Sequence, residues 1–178
     1  MKKLLFALVA VALFSCKEES KVEEAVAKIP VEFKVERFDQ IFYQSKPEDL
    51  QKIKAQYPFF FPEGNPDSVW VNKLKQPLLK ELYKEVQMKY PTLGPIESDM
   101  EKMFAYVQYY FPKYKTPRVI TLISEVDTEA KAFYVDSLAL VSLDCYLGKD
   151  HRFYVDFPEY KKAELEENQI LPNLVSTF

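Results

Sequence analysis

The chain contains a single histidine, His151, and only three glycines, at positions 64, 94 and 148. An HExxH zinc helix needs two histidines and a histidine-rich zinc site needs more, so both are excluded. Neither a phosphate-binding P-loop nor a dinucleotide-binding turn can be assembled from glycines so far apart. Cysteine is equally sparse, with Cys16 and Cys145 the whole supply. There is no excess of positive charge either, since 24 basic residues face 27 acidic ones, and nucleic acid is not an expected partner. No apolar run reaches the roughly 20 residues that a transmembrane helix requires.

The apolar run that does exist, Leu4 to Phe14, follows the basic head Met1-Lys2-Lys3 and leads into Ser15-Cys16. A basic head, a short apolar core and a small residue at the cut make an export signal, and the cysteine directly after Ser15 makes the Leu13-Phe14-Ser15-Cys16 end a lipobox. Residues 1–15 are read as a lipoprotein signal peptide, with Cys16 acylated and left as the new N-terminus. Each buried methylene of an acyl chain contributes about 0.8 kcal/mol, so a multiply acylated Cys16 holds its protein at a lipid bilayer. The alternative is an ordinary secretory signal with an incidental cysteine. With Cys16 committed to lipid, Cys145 has no disulfide partner, and its apolar setting, Leu143-Asp144-Cys145-Tyr146-Leu147, suits a buried structural thiol. The expected location is the cell envelope, on the periplasmic side or at the cell surface.

Loss of Lys2 and Lys3 leaves 22 basic residues against 27 acidic ones, a net charge near −5. Residues 16–28 carry charge without a sustained apolar face and are read as a flexible tether. At 48% hydrophobic and 15% aromatic, the composition supplies a core, and residues 29–178 suit one domain. Ile29, Val31, Phe33 and Val35 alternate with polar residues, the period of a half-buried strand that Pro30 places near a sheet edge. Ser45, Pro47 and Glu48 spell a capping box for a helix that buries Leu50, Ile53 and Tyr57. Further helices are expected at 67–76, 78–90 and from Ile96 to Phe111, where Met100, Met103, Phe104 and Val107 recur at three and four residues. The β-branched run Arg118 to Ile123 predicts a buried strand, with short strands at 132–135 and 137–143 and a helix at 158–167. The fold class is α+β: several N-terminal helices, a small mainly antiparallel sheet, then C-terminal helices.

Carboxylate chemistry survives these exclusions. Asp144, Asp150, His151 and Asp156 gather around Gly148, and oxygen donors with one imidazole suit calcium or manganese, although no spacing matches an EF-hand loop. The competing reading has Asp144 cap a turn and the others face water. No catalytic residue and no cofactor is assigned. The segment Tyr57-Pro58-Phe59-Phe60-Phe61-Pro62 is the densest aromatic cluster and reads as a wedge between helices, with a ligand platform as the alternative. Asp67-Ser68-Val69 and Asp136-Ser137-Leu138 are similar to short O-glycosylation sites of exported Bacteroidota proteins, which makes Ser68 and Ser137 candidates for modification.

Taken in order, the lipobox, PVEFKVERFD at 30–39, YPFFFPEG at 57–64, YYFPKYKTPRVITLIS at 109–124, LVSLDCYLGKDHRFY at 140–154 and FPEY at 157–160 resemble the gliding-motility lipoprotein family GldB. The resemblance runs over nearly all of the mature chain. It implies a membrane-anchored envelope lipoprotein required for gliding in Bacteroidota, with a structural or interaction role, and as partners the bilayer and other envelope proteins of the gliding and type IX secretion machinery. It carries over no catalytic residue. The alternative function is an envelope hydrolase or ligand-binding lipoprotein using carboxylates around Asp144 and Asp156. Family members continue past the Pro158-Glu159-Tyr160 motif, whereas this sequence stops inside the apolar ILPNLVSTF, so the domain is expected to be incomplete at its C-terminus.

Overall fold

The computed structural model describes residues 21–178. Cys16, the signal and the first part of the tether lie outside the described residues. In chain order, a helical stretch at 21–26 precedes β1 (Val35–Arg37), α1 (Phe38–Tyr43), α2 (Leu50–Gln56), α3 (Asp67–Lys75), α4 (Pro77–Lys89) and α5 (Gly94–Tyr110). Then come β2 (Arg118–Leu122), β3 (Ala132–Val135), β4 (Leu138–Ser142), α6 (Glu159–Lys162) and α7 (Ile170–Val175). The fold is α+β, and the chain divides into two units: one of residues up to Phe33 with Gly94–Thr116, the other of Lys34–Leu93 with Pro117–Phe178.

The second unit contains a mixed four-stranded sheet in the order β1-β2-β4-β3. Two of its pairings, β1 with β2 and β2 with β4, are parallel, and only the β3–β4 hairpin is antiparallel. The expected mainly antiparallel sheet is corrected accordingly. The reason lies in the connections: five α-helices, α1 to α5, separate β1 from β2, and a crossover holding β3 separates β2 from β4, so each chain returns in the same direction. Both faces of the central strands are buried, as parallel strands demand. Ile120 and Leu140 are paired in register and join a core with Phe38, Phe42, Leu50, Ile53, Tyr57, Phe61 and Leu74, while Val119, Thr121, Ala139 and Val141 are buried on the other face. The hairpin turns at Asp136, whose φ of 55° lies in the left-handed region that Asp tolerates better than most residues.

Local readings shift in informative ways. The strand expected from Ile29 forms only at Val35–Arg37, on the sheet edge. Alternation of burial does hold from Val31 to Val35, yet 29–34 has no ladder, so apolar period two was satisfied by packing rather than pairing. The Ser45 capping box is replaced by a reciprocal pair one residue on: the Lys46 N–H donates to the Asp49 carboxylate, and the Asp49 N–H to the Lys46 carbonyl. Ser45 Oγ instead donates to the Phe42 carbonyl at the end of α1, 2.7 Å away. Between 158 and 167 only Glu159–Lys162 is α-helical. The terminal apolar segment forms α7, which buries Ile170 and Leu174 and packs on β3 and β4.

In the first unit, residues 21–26, read from the sequence as part of a flexible tether, are helical, and Val26 is buried. Val22, Ala25 and Val26 stand at helical spacing, an apolar face too short to be noticed among so many charges. Phe33 meets Phe104 of α5 edge to face at 5.4 Å, and α5 buries Ile96, Met100, Met103, Phe104 and Ala105. Among the described residues, no helix is long and apolar enough to cross a membrane.

Candidate functional site

The carboxyl ends of β1, β2 and β4 carry the densest polar chemistry in the second unit. Just past β1, Asp39 is fully buried. Arg37 approaches it with Nε 3.0 Å from Oδ1 and Nη2 2.8 Å from Oδ2, Thr121 Oγ1 donates to Oδ1 at 2.5 Å, and Gln87 Nε2 donates to Oδ2 at 2.9 Å. Arg37 Nη1 also donates to the Tyr90 carbonyl. One carboxylate thus ties the end of β1 to β2 and to α4, and its acceptor capacity is taken up by this chain's own donors.

The second buried carboxylate, Asp144, lies just past β4. Its Oδ1 accepts from the Ser124 N–H at 3.0 Å and its Oδ2 from the Val126 N–H at 2.6 Å. Between those donors the backbone is left-handed at two non-glycine residues, Glu125 (φ 66°) and Val126 (φ 59°). For a β-branched valine this conformation is strained, and the carboxylate braces it. Around the same turn Tyr154 Oη donates to the Asp144 carbonyl at 2.5 Å and accepts from the Leu147 N–H at 3.0 Å. Cys145 is fully buried beside it, with Sγ 3.4 Å from the Asp127 carbonyl, and burial pushes its thiol well above the ordinary range. That is the setting of a packed thiol, not of a reactive thiolate.

Burial raises the Asp144 carboxyl to about 6, against the lowering pull of the Ser124 and Val126 N–H groups. The protonated form is therefore favoured by folding. Its stability contribution is fully present below the unfolded carboxyl value, about 4, and is lost as pH rises through about 6. We expect the stability of the native protein, relative to Asp144→Asn, to fall by about 2 kcal/mol between pH 4 and pH 7, read from paired thermal melts. A gap that stays constant over that window would contradict the assignment. Glu36, held below the usual range mainly by its Arg118 hydrogen bond, titrates alike in both proteins and cancels.

Next to this turn lies an aromatic cavity of about 120 Å³. Phe38, Phe42 and Tyr43 of α1, Phe60 and Phe61 of the aromatic segment, Trp70 and Lys73 of α3, and Leu122 and Ile123 at the end of β2 line it. The YPFFF segment is thus both core and wall: Phe61 is buried against Trp70 at 4.8 Å, while Phe60 is only partly buried. The Trp70 Nε1–H is buried without a hydrogen-bond partner among the described residues. Lys73 forms an ion pair with Glu125 of the strained turn.

The structure does not gather the four residues that the sequence grouped around Gly148. Asp144 is buried in its turn, whereas Asp150 and Asp156 are exposed. His151 is half-buried, 3.5 Å from Glu85, and its Nδ1 accepts from the Phe153 N–H. Among the described residues no group of three or more His, Cys, Asp or Glu converges as a metal site would require. Ser68, in the first turn of α3, and Ser137, in the hairpin turn, are both exposed. Asp39 went unnoticed in the sequence, although an acid between apolar Phe38 and Ile41 was the available signal.

Fold and site together define an α+β domain whose two buried carboxylates brace the ends of a parallel-centred sheet beside an aromatic cavity. The chain belongs to the GldB family: the family model described as gliding motility protein GldB matches residues 19–178. No curated protein and no solved structure matches the chain.

Proposed function

We propose that this protein is a lipid-anchored component of the bacterial gliding apparatus, held at an envelope membrane through acylated Cys16. In this reading it has a structural or interaction role among the gliding and type IX secretion proteins. The family match over residues 19–178 carries the reading, and the lipobox ending at Cys16 stands immediately before it. The non-enzymatic part is supported by Asp39 and Asp144, whose oxygens are occupied by donors of this chain, and by the exposure of Asp156, in contrast to the burial of Asp144.

A Cys16→Ser protein is expected to accumulate at normal levels, leave the membrane fraction and abolish cell spreading. Normal spreading by that variant would overturn the anchored reading. The intact mass of the native protein tests the anchor and the modification together: acyl chains on Cys16 and sugar on Ser68 or Ser137 each add a defined increment. An Asp144→Asn protein that melts normally yet abolishes spreading would restore the carboxylate-hydrolase alternative.

A further inference from the structure

We propose that the aromatic and basic tip of the first unit, Tyr109-Tyr110-Phe111 with Lys113 and Lys115, rests in the headgroup layer of an anionic lipid bilayer. The contact depends on Cys16 being the lipid anchor and deepens that reading, because it gives the same membrane a second, non-covalent hold. Tyr110 is 61% exposed and Phe111 66%, and Tyr109 meets Tyr110 edge to face at 5.0 Å. These rings are held in place although they are not buried. The Phe111 N–H donates to the Val107 carbonyl, and the Tyr114 N–H closes a turn on the Phe111 carbonyl, each at 2.8 Å, with Pro112 at the second position of that turn. Gln108 Nε2 donates to Thr116 Oγ1 at 2.9 Å and ties the loop back to α5.

Charge selects the partner. From Met103 to Thr116 the sequence has two lysines and no Asp or Glu, although the chain as a whole is acidic. Lys113 and Lys115 are exposed and form no ion pair among the described residues. The first two turns of α5 carry Glu97, Asp99 and Glu101, all exposed, so the helix presents its basic aromatic end, not its acidic end, to a negative surface. The helix dipole accounts for acids in the first turn, but it fades beyond the last turn, where the lysines stand, and it does not explain exposed rings. Tyrosine rings at headgroup level, with lysine stems along the apolar boundary and ammonium groups on phosphate, are the chemistry of a membrane interface. Distance agrees. Cys16 stands five residues before Lys21, where the described chain begins, and five residues span at most about 18 Å. The helical stretch at 21–26 lies beside α5, with Glu23 and Val26 lining the same cleft as Ala105 and Tyr106. Tyr110 is one helical turn beyond Tyr106, about 6 Å, so a bilayer that holds Cys16 is within reach of the tip.

The test uses the protein extracted from membranes and reconstituted into vesicles of phosphatidylethanolamine and phosphatidylglycerol with brominated acyl chains. Phe111→Trp keeps a ring at the tip, and Trp70, the chain's own single tryptophan, gives a background measured in the unsubstituted protein. The new indole in Phe111→Trp is expected to be quenched by the brominated lipid and to shift its emission to the blue. The indole in Asp99→Trp, roughly 18 Å back along α5, is expected to do neither. Adding Lys113→Glu and Lys115→Glu to Phe111→Trp should lower the ratio of docked to free tip at least about tenfold, and high salt or vesicles of phosphatidylcholine alone should also weaken docking. All these positions are exposed, so the fold is not at stake. No quenching in Phe111→Trp, equal quenching in Asp99→Trp, or indifference to the charge reversal would each overturn the docking while leaving the anchor intact. An intact mass without acyl chains on Cys16 would instead remove the anchor, and the docking with it.

Discussion

Replacing Asp39 by alanine is expected to remove about 3–5 kcal/mol of stability, enough to lower the melting temperature by roughly 10 °C or more. The effect follows from what is left behind. Arg37 is only 14% exposed, and two of its three side-chain nitrogens, Nε and Nη2, are aimed at the missing carboxylate. The Thr121 hydroxyl and the Gln87 amide lose their acceptor in the same step. A charge left buried and unpaired costs far more than the pair itself is worth. Two further variants separate these quantities in urea denaturation. Asp39→Asn keeps one acceptor oxygen but turns an amide toward the Arg37 guanidinium, and should lose roughly half as much as Asp39→Ala. The double variant Arg37→Met/Asp39→Leu removes both charges and should recover most of the loss, because no orphaned cation remains. A double variant as unstable as Asp39→Ala would show that the carboxylate acts through shape or backbone geometry instead.

The same centre shows where sequence reading succeeds and where it stops. Helices α3, α4 and α5 are legible because their apolar stripes are long, and Pro77 and Gly94-Pro95 punctuate them. The strand after Pro117 is legible because Val119, Ile120 and Thr121 are β-branched and bounded by a breaker. Direction is another matter. Val35 meets Val119 only after the intervening helices have brought the chain round, and nothing in three residues states whether the partner runs alongside or against. Position in a buried network is equally silent: Thr121 reads as a β-former, and its hydroxyl's role on Asp39 exists only in three dimensions.

Asp144 is the instructive intermediate case. Its place after an apolar strand marked it as unusual, and the turn-capping reading describes what it does, since it holds the Ser124 and Val126 N–H groups. The companions grouped with it were sequence neighbours, whereas its partners lie about twenty residues upstream, in the turn just past the strand beside it. Parallel pairing of β2 with β4 puts 124–126 next to 144, so an error about strand direction became an error about the site.

Phe38→Ala is the second large effect, about 3–5 kcal/mol by urea denaturation. Phe38 lies within 4.4 Å of the Phe60 ring centroid, 5.1 Å of Tyr57, 5.7 Å of Phe42 and 6.2 Å of Phe61, so its removal breaks four aromatic contacts together. Rings fixed by Pro58 and Pro62 cannot collapse freely into the space, which keeps the cost at the upper end of the range. Because Phe38 also walls the existing cavity, its truncation enlarges that space rather than opening a separate one. Toluene should then bind the variant well and raise its melting temperature in proportion to RT ln(1 + [L]/Kd), while moving the native protein far less. Stabilisation of the variant by toluene would attribute the loss to missing contacts in an intact frame. Failure of toluene to act, with altered near-UV circular dichroism, would instead mean that α1 has come away from β2, making Phe38 the residue that seats this helix on the sheet.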